Sequence, residues 1–174
     1  MPITTVQTIY DSIREAKLRI TTRFISGDAD EQNVVKVQPA TLVGALNVAG
    51  HTLAGNAGPR PFYNTTIRNI TWNSPGGAGK TISLLWQTSN GTAYGNTVIT
   101  QLSGTGSYPA TRGPDITFST YGQNASNIMI STHGFAANDA YAIEIDLLKS
   151  PQQYDWGELA NPQEFNFPPR KTFP

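Results

Sequence analysis

The stretch Gly76-Gly77-Ala78-Gly79-Lys80-Thr81 has the composition of a phosphate-binding loop, in which backbone N–H groups and a lysine ammonium surround an anion. The full pattern places a glycine five residues before the second motif glycine, and Ser74 stands there instead. Such a loop also needs a helix after it, so that a helix N-terminus faces the phosphate. Thr81-Ile82-Ser83-Leu84-Leu85-Trp86 reads as a strand, so the expectation is a glycine turn. Two histidines, His51 and His133, are the next candidates. Ser131 and Asp139 flank His133, but a triad needs three groups that converge on one point, and neighbours on one strand or turn rarely do. No nucleophile–base pair or carboxylate pair can be named, so no catalytic residue is assigned and an enzyme is not expected.

Asp28, Asp30 and Glu31 cluster in one turn and offer oxygen ligands of the kind Ca²⁺ takes, although their spacing departs from the twelve-residue calcium loop. An ordinary acidic turn is the expectation, with no metal and no cofactor. The chain has no cysteine, which excludes disulfides, thiolate chemistry and cysteine-ligated zinc or iron–sulfur sites. Lys17, Arg19 and Arg23 share one strand face, which reads as a solvated face or a subunit contact rather than an anion site.

Only 14% of the residues are charged and the formal net charge is zero, so no concentrated positive surface for nucleic acid is visible. A neutral, Thr- and Asn-rich surface suits packing against other protein, because little charge has to be desolvated. No apolar run is long enough to span a bilayer. Met1-Pro2-Ile3-Thr4-Thr5 lacks the basic and apolar segments of a signal peptide, so synthesis in the cytoplasm is expected.

The elements that must position any site are strands. In 15–25, Ala16, Leu18, Ile20, Thr22 and Phe24 alternate with Lys17, Arg19, Thr21 and Arg23, the period of a strand with one buried face. A turn over Ser26 to Glu31 leads to Val34-Val35-Lys36-Val37, expected to pair back as a hairpin. Thr41 to Val48 is apolar and of ambiguous type, and His51 to Pro61 reads as a loop. Further strands are expected at Ile67 to Trp72, Thr81 to Trp86, Thr97 to Leu102, Asp115 to Phe118, Asn127 to Thr132 and Tyr141 to Lys149, with a loop from Gly104 to Pro114. Thr8 to Glu15 is the one helical candidate. Trp72 and Trp86 are expected in the core. About eight to nine short strands predict an all-β fold, an antiparallel β-sandwich of jelly-roll or Ig-like type.

Three regions follow: an N-terminal segment 1–14, a sandwich domain 15–149 and an extended arm 150–174. The arm carries Pro151, Pro162, Pro168, Pro169 and Pro174, interleaved with Tyr154, Trp156, Phe165, Phe167 and Phe173. Proline removes backbone donors and favours extended chain, so helix and central strand are both disfavoured. A disordered tail is poor in aromatics. This composition implies an arm that plugs rings into pockets, of its own body or of a neighbouring subunit, with Arg170 and Lys171 as rim charges.

The stretch from Glu15 to Lys149 also resembles small virion structural proteins of tailed bacteriophages. The resemblance is carried by Lys17-Leu18-Arg19-Ile20, Ile67-Arg68-Asn69-Ile70-Thr71-Trp72, Leu84-Leu85-Trp86 and Leu102-Ser103-Gly104-Thr105-Gly106-Ser107. Ile130-Ser131-Thr132-His133-Gly134 and Asp139-Ala140-Tyr141-Ala142-Ile143-Glu144-Ile145 complete it in order. It implies a non-enzymatic sandwich, foremost a capsid decoration or cement protein in the virion, and next a neck or tail component. The implied partners are the major capsid protein or other virion subunits and further copies of the chain, with no nucleic acid, membrane or small-molecule substrate. No functional residue carries over, because the group has no active-site motif. A carbohydrate-binding module is the rival reading, with Tyr94, Tyr108, Tyr121 and Asn124 as candidate contacts.

Overall fold

The computed structural model describes residues 1–43, 65–89, 94–109, 116–117 and 124–149. Among them are ten strands: β1 (Ile3–Asp11), β2 (Glu15–Arg23), β3 (Val34–Val37), β4 (Thr65–Asn73), β5 (Thr81–Ser89), β6 (Tyr94–Leu102), β7 (Thr105–Pro109), β8 (Ile116–Thr117), β9 (Asn124–His133) and β10 (Ala140–Lys149). One 3₁₀ turn, Pro39–Thr41, follows β3. The strands form two antiparallel sheets, β1-β2-β10-β4-β7 and β3-β9-β5-β6, and β8 pairs with β4 alongside β7.

The pairing is nested. β2 pairs with β10, β3 with β9, β4 with β7 and β8, and β5 with β6. One long hairpin has thus folded over on itself, and its halves are joined laterally where β10 meets β4 and β9 meets β5. This is the jelly-roll member of the expected pair of sandwich types. The expected alternation in β2 holds: Ala16, Leu18, Ile20 and Thr22 point inward, and Phe24 beyond the strand is also buried. They meet Ile70, Ile143 and Ile145 on the same sheet and Ile82, Leu84, Trp86, Ile128 and Ile130 on the other. Each such side chain contributes roughly 1.5–3 kcal/mol on burial, so the core dominates the stability.

Three local expectations are corrected. Thr8 to Glu15 is not helical: β1 runs to Asp11 in antiparallel register with β2, from Ile3↔Arg23 to Asp11↔Ala16. Its Thr-, Val- and Ile-rich composition suits a pleated strand, and the Ser12 hydroxyl accepts the Glu15 N–H at 3.1 Å to close the hairpin. Val34 to Val37 does not pair with β2. The Asp30 carboxylate, just before β3, accepts the Gly134 and Phe135 N–H groups at 2.8 and 3.0 Å, which draws the chain across to β9 in the second sheet. Gly104 to Pro114 is not wholly loop, since 105–109 form β7.

Glycine makes β7 possible. Gly106 lies opposite Trp72, whose half-buried ring covers it, and a Cβ there would sit 2.7 Å from the ring's Cη2. The indole N–H donates to the Ser103 carbonyl at 3.2 Å, which fixes the ring in that position. Gly106→Ala is therefore expected to destabilise the protein by about 1–3 kcal/mol through overpacking. Gly76→Ala, at a position with open space around the added methyl, should stay within about 0.5 kcal/mol. Urea unfolding of both variants checks the pair; equal losses would refute the role given to the Trp72 ring.

Candidate assembly surface

Lys80, Asp139, Ser131 and the acidic turn, among the residues first suspected of chemistry, are occupied with structural work. The Lys80 ammonium donates to both Asp139 oxygens at 2.9 and 2.8 Å, and Thr81 opens β5 rather than a helix. The same carboxylate accepts the Ala136 N–H at 2.7 Å, and the Lys80 hydrogen bond holds the Asp139 carboxyl below its usual 3.8. Gly134 has φ +76°, and a Cβ on it would lie 2.5 Å from the Gly79 carbonyl oxygen. The two turns are thus latched together, and Asp139 is not available to orient His133. The Ser131 hydroxyl accepts the Asn33 N–H at 2.8 Å. His133, Ser131 and Asp139 form no triad.

The acidic turn also separates into three tasks. Asp28 accepts the Ile25 N–H at 2.8 Å, Asp30 accepts the two N–H groups after β9, and Glu31 turns into the sandwich. No group of three or more His, Cys, Asp or Glu among the described residues is placed to hold a metal ion. On the outer face of the first sheet, Arg19 pairs with Glu144, and Lys17 lies 3.3 Å from Glu144 and 3.5 Å from Asp146. The Arg19 hydrogen bond, with help from Lys17, holds the Glu144 carboxyl below its usual value. Two of the three cations read from β2, Lys17 and Arg19, are therefore paired by carboxylates of β10, while Arg23 stands opposite Ala140. Trp86 is a core residue at 2% exposed, and Tyr108, a candidate sugar contact, packs half-buried against the core. Tyr154, Trp156, Phe165, Phe167, Arg170, Lys171 and Phe173 lie outside the described residues, as do His51, Tyr121 and the side chains of Tyr94 and Asn124.

A feature the sequence reading passed over is β1. It is a terminal strand that pairs only with β2 among the described residues. Natural edges are normally blunted by lysine, proline or short length. From Ile3 to Tyr10 there is no charge and no proline, and the one irregularity, between Thr8 and Tyr10, comes late in the strand. Ile3, Val6, Ile9 and Tyr10 are exposed, and Ile13, Ile25, Val34 and Val43 add exposed apolar surface around them. The other long edge, β6, exposes one large apolar side chain, Val98, among its described residues. Between β1 and β3 runs an open groove of about 710 Å³, with Val6, Val34 and Val35 along its walls.

Two buried lysines fasten this strand to the body. At its start, the Lys36 ammonium donates to the Thr4 hydroxyl at 2.7 Å and pairs with Glu31, both charged side chains being under 5% exposed. Thr4 is 2.9 Å from the Thr22 hydroxyl, and the Tyr141 phenol donates to the other Glu31 oxygen at 2.5 Å. Burial, then the Glu31 charge, pushes that phenol far above its usual 10.0, so it remains a donor. At the strand's far end, Lys149 is wholly buried and donates to Asp11 Oδ1 at 2.5 Å and to the Ser12 and Val43 carbonyls at 2.6 Å. The second Asp11 oxygen accepts the Val43 N–H at 2.8 Å. One signal for Lys149 was present in the sequence: it stands in the inward phase of β10, after Tyr141, Ile143, Ile145 and Leu147.

Two outcomes are expected. Asp11→Ala leaves the Lys149 ammonium buried without its counter-charge and should cost about 3–5 kcal/mol in urea unfolding. Asp11→Leu with Lys149→Met removes both charges and should recover most of that loss; a double variant as unstable as the single one would mean that packing, not charge, was lost. For Asp139, the folded carboxyl is held below its unfolded value. Its contribution is complete above 3.8 and disappears as the pH falls through the folded value. Asp139→Asn should therefore unfold earlier than wild type at neutral pH, with the gap closing on acidification, as read from urea midpoints across pH.

No family model matches the chain, and no curated protein and no solved structure is significantly similar to it.

Proposed function

We propose that this chain is a structural protein of a tailed-bacteriophage virion, most simply a capsid decoration or cement protein, with a neck or tail position as the second assignment. The observation that carries the reading is β1: a long edge strand, uncharged from Ile3 to Tyr10 and lined with exposed apolar side chains, that two buried lysines tie to the body. An enzyme or small-ligand site would place convergent polar groups in a hollow. Here the suspected groups are tied up in turns and strand contacts instead. An apolar edge on a rigid body is suited to receive another chain, by main-chain hydrogen bonds and alternate side-chain pockets.

The division of labour follows. The jelly roll supplies a stiff block, and the arm from 150 to 174 supplies reach, up to about 80 Å at roughly 3.3 Å per residue. Tyr154, Trp156, Phe165, Phe167 and Phe173 are the anchors, and Arg170 and Lys171 the rim charges. Each buried ring is worth about 1.5–3 kcal/mol before the entropy of ordering the arm is subtracted. Repeated around a symmetric shell, contacts of that size add up to a firm clamp on neighbouring subunits by multivalency. The neutral surface favours such packing, since the net charge is zero and Lys17 and Arg19 on the first sheet's outer face are paired.

Replacing Trp156, Phe165 and Phe167 by serine in the full chain is expected to lower incorporation into particles at least about tenfold, the equivalent of 1.4 kcal/mol. The unfolding midpoint of the body should not move. Arg170→Ala with Lys171→Ala should weaken incorporation less, and the difference should shrink at high salt. Copy number per particle, from quantitative gels of purified virions, is the measurement. Wild-type incorporation of the serine variant would end the clamp reading.

A further inference from the structure

The groove between β1 and β3 has two properties of a strand receptor. Its walls are apolar at Val6, Val34 and Val35, and one rim is the backbone edge of β1 that pairs with no other strand among the described residues. The charges at its base, Lys36 and Glu31, are paired with each other, so the groove asks for no charged ligand. An extended segment with rings on one side and polar groups on the other would fit it, adding to β1 as a strand.

The chain itself contains such a segment. Gln163-Glu164-Phe165-Asn166-Phe167 is bounded by Pro162 and Pro168, which limit any added strand to the residues between them. The period of two puts Phe165 and Phe167 on one side, with Glu164 and Asn166 on the other. The place where the arm begins bears on whose groove it fills. β1 and β10 are both antiparallel to β2 and so run the same way, and Lys149 closes β10 beside Asp11 and Ser12, at the far end of β1. To enter its own groove the arm would have to reverse over the turn joining β1 to β2, against the direction in which β10 delivers it. A neighbour's groove can be entered without that reversal. The fourteen residues from 150 to 163 reach about 46 Å at roughly 3.3 Å each, which also exceeds the roughly 30 Å that nine strand residues occupy.

We propose that the groove between β1 and β3 receives residues 163–167 from the arm of a second copy of this chain. The segment adds antiparallel to β1 and seats Phe165 and Phe167 against Val6, Val34 and Val35. This inference rests on the assembly reading above and names the surface on which the arm acts.

The chain has no cysteine, so two single substitutions report the contact without background. Gln32→Cys places a thiol on an exposed residue lining the groove, and Asn166→Cys places one between the two rings. Mixed full-length copies, one of each kind, treated with a short bismaleimide, are expected to give a covalent dimer far above the yield of either copy alone. Adding Val34→Asp to the Gln32→Cys copy should lower that yield about tenfold or more, as burial of a carboxylate opposes docking. Val34 is already 37% exposed, so the variant is expected to fold, which circular dichroism would check. Three results would overturn the proposal: Gln32→Cys alone cross-linking as well as the mixture, meaning that a second copy's edge covers the groove; a chain with both cysteines bridging only internally, meaning that its own arm fills it; or a yield indifferent to Val34→Asp. Failure of the broader reading looks different, since the wild-type chain would then be missing from purified particles whatever its cross-linking in solution.

Discussion

Two ammonium groups buried inside a jelly roll set the terms for the rest of the molecule. Lys36 and Lys149 each leave water, and the cost of doing so is offset only if oxygens meet them in place. Both find some of those oxygens on the first strand: the Thr4 hydroxyl at one end, the Asp11 carboxylate and Ser12 carbonyl at the other. An edge strand normally frays, because half of its hydrogen bonds go to solvent. This one cannot leave without taking the counter-charge from Lys149 and a hydrogen-bond acceptor from Lys36, so its apolar surface is presented by an anchored backbone. A preformed edge loses little entropy when a partner chain adds to it, which is what a binding platform requires.

The rest of the fold supports that placement. Nested pairing brings β10 next to β2, and so brings Lys149 near the β1–β2 hairpin although the two ends are far apart in sequence. Tyr141 reaches from β10 to Glu31, which ties the first sheet to the segment entering the second. Phe24 and Tyr141 both pack against Phe135 at that corner, the first tilted and the second edge-to-face, with ring centroids 5.0 and 6.0 Å apart. Polar and aromatic contacts thus converge where the chain changes sheets, the point at which a sandwich is otherwise easiest to open.

The charge pattern of the outer face has the same logic. Arg19 stands opposite Glu144 and Lys17 opposite Asp146 in the β2–β10 register, with Asn69 of β4 completing the row at Asp146. Exposed pairs of this kind contribute at most about 1 kcal/mol each. They pair most of the charge on that face, and the exposed apolar side chains lie mainly on β1 and its surroundings. Such a body, with exposed apolar side chains along an edge strand, is compatible with the assembly role proposed above.

Much of this was legible in the chain. The alternation in β2 and β10 follows from side chains pointing to opposite faces of a strand, so it marks the core directly. The glycine turn before Thr81 was separable from a phosphate loop because β-branched residues follow it. Residues 34–37 were placed in the wrong pairing, because local spacing suggests a hairpin while the Asp30 hydrogen bonds act between residues about a hundred positions apart. Gly106 looked like a loop residue because its reason, the Trp72 ring, is on another strand. The same holds for the assembly surface. The sequence alone determined that the fold is all-β, that the formal net charge is zero and that a segment rich in proline and aromatic residues follows Lys149. Only the tertiary structure decided which strand would be left as an open edge and which lysines would be buried to hold it, because both depend on long-range pairing that no local pattern encodes.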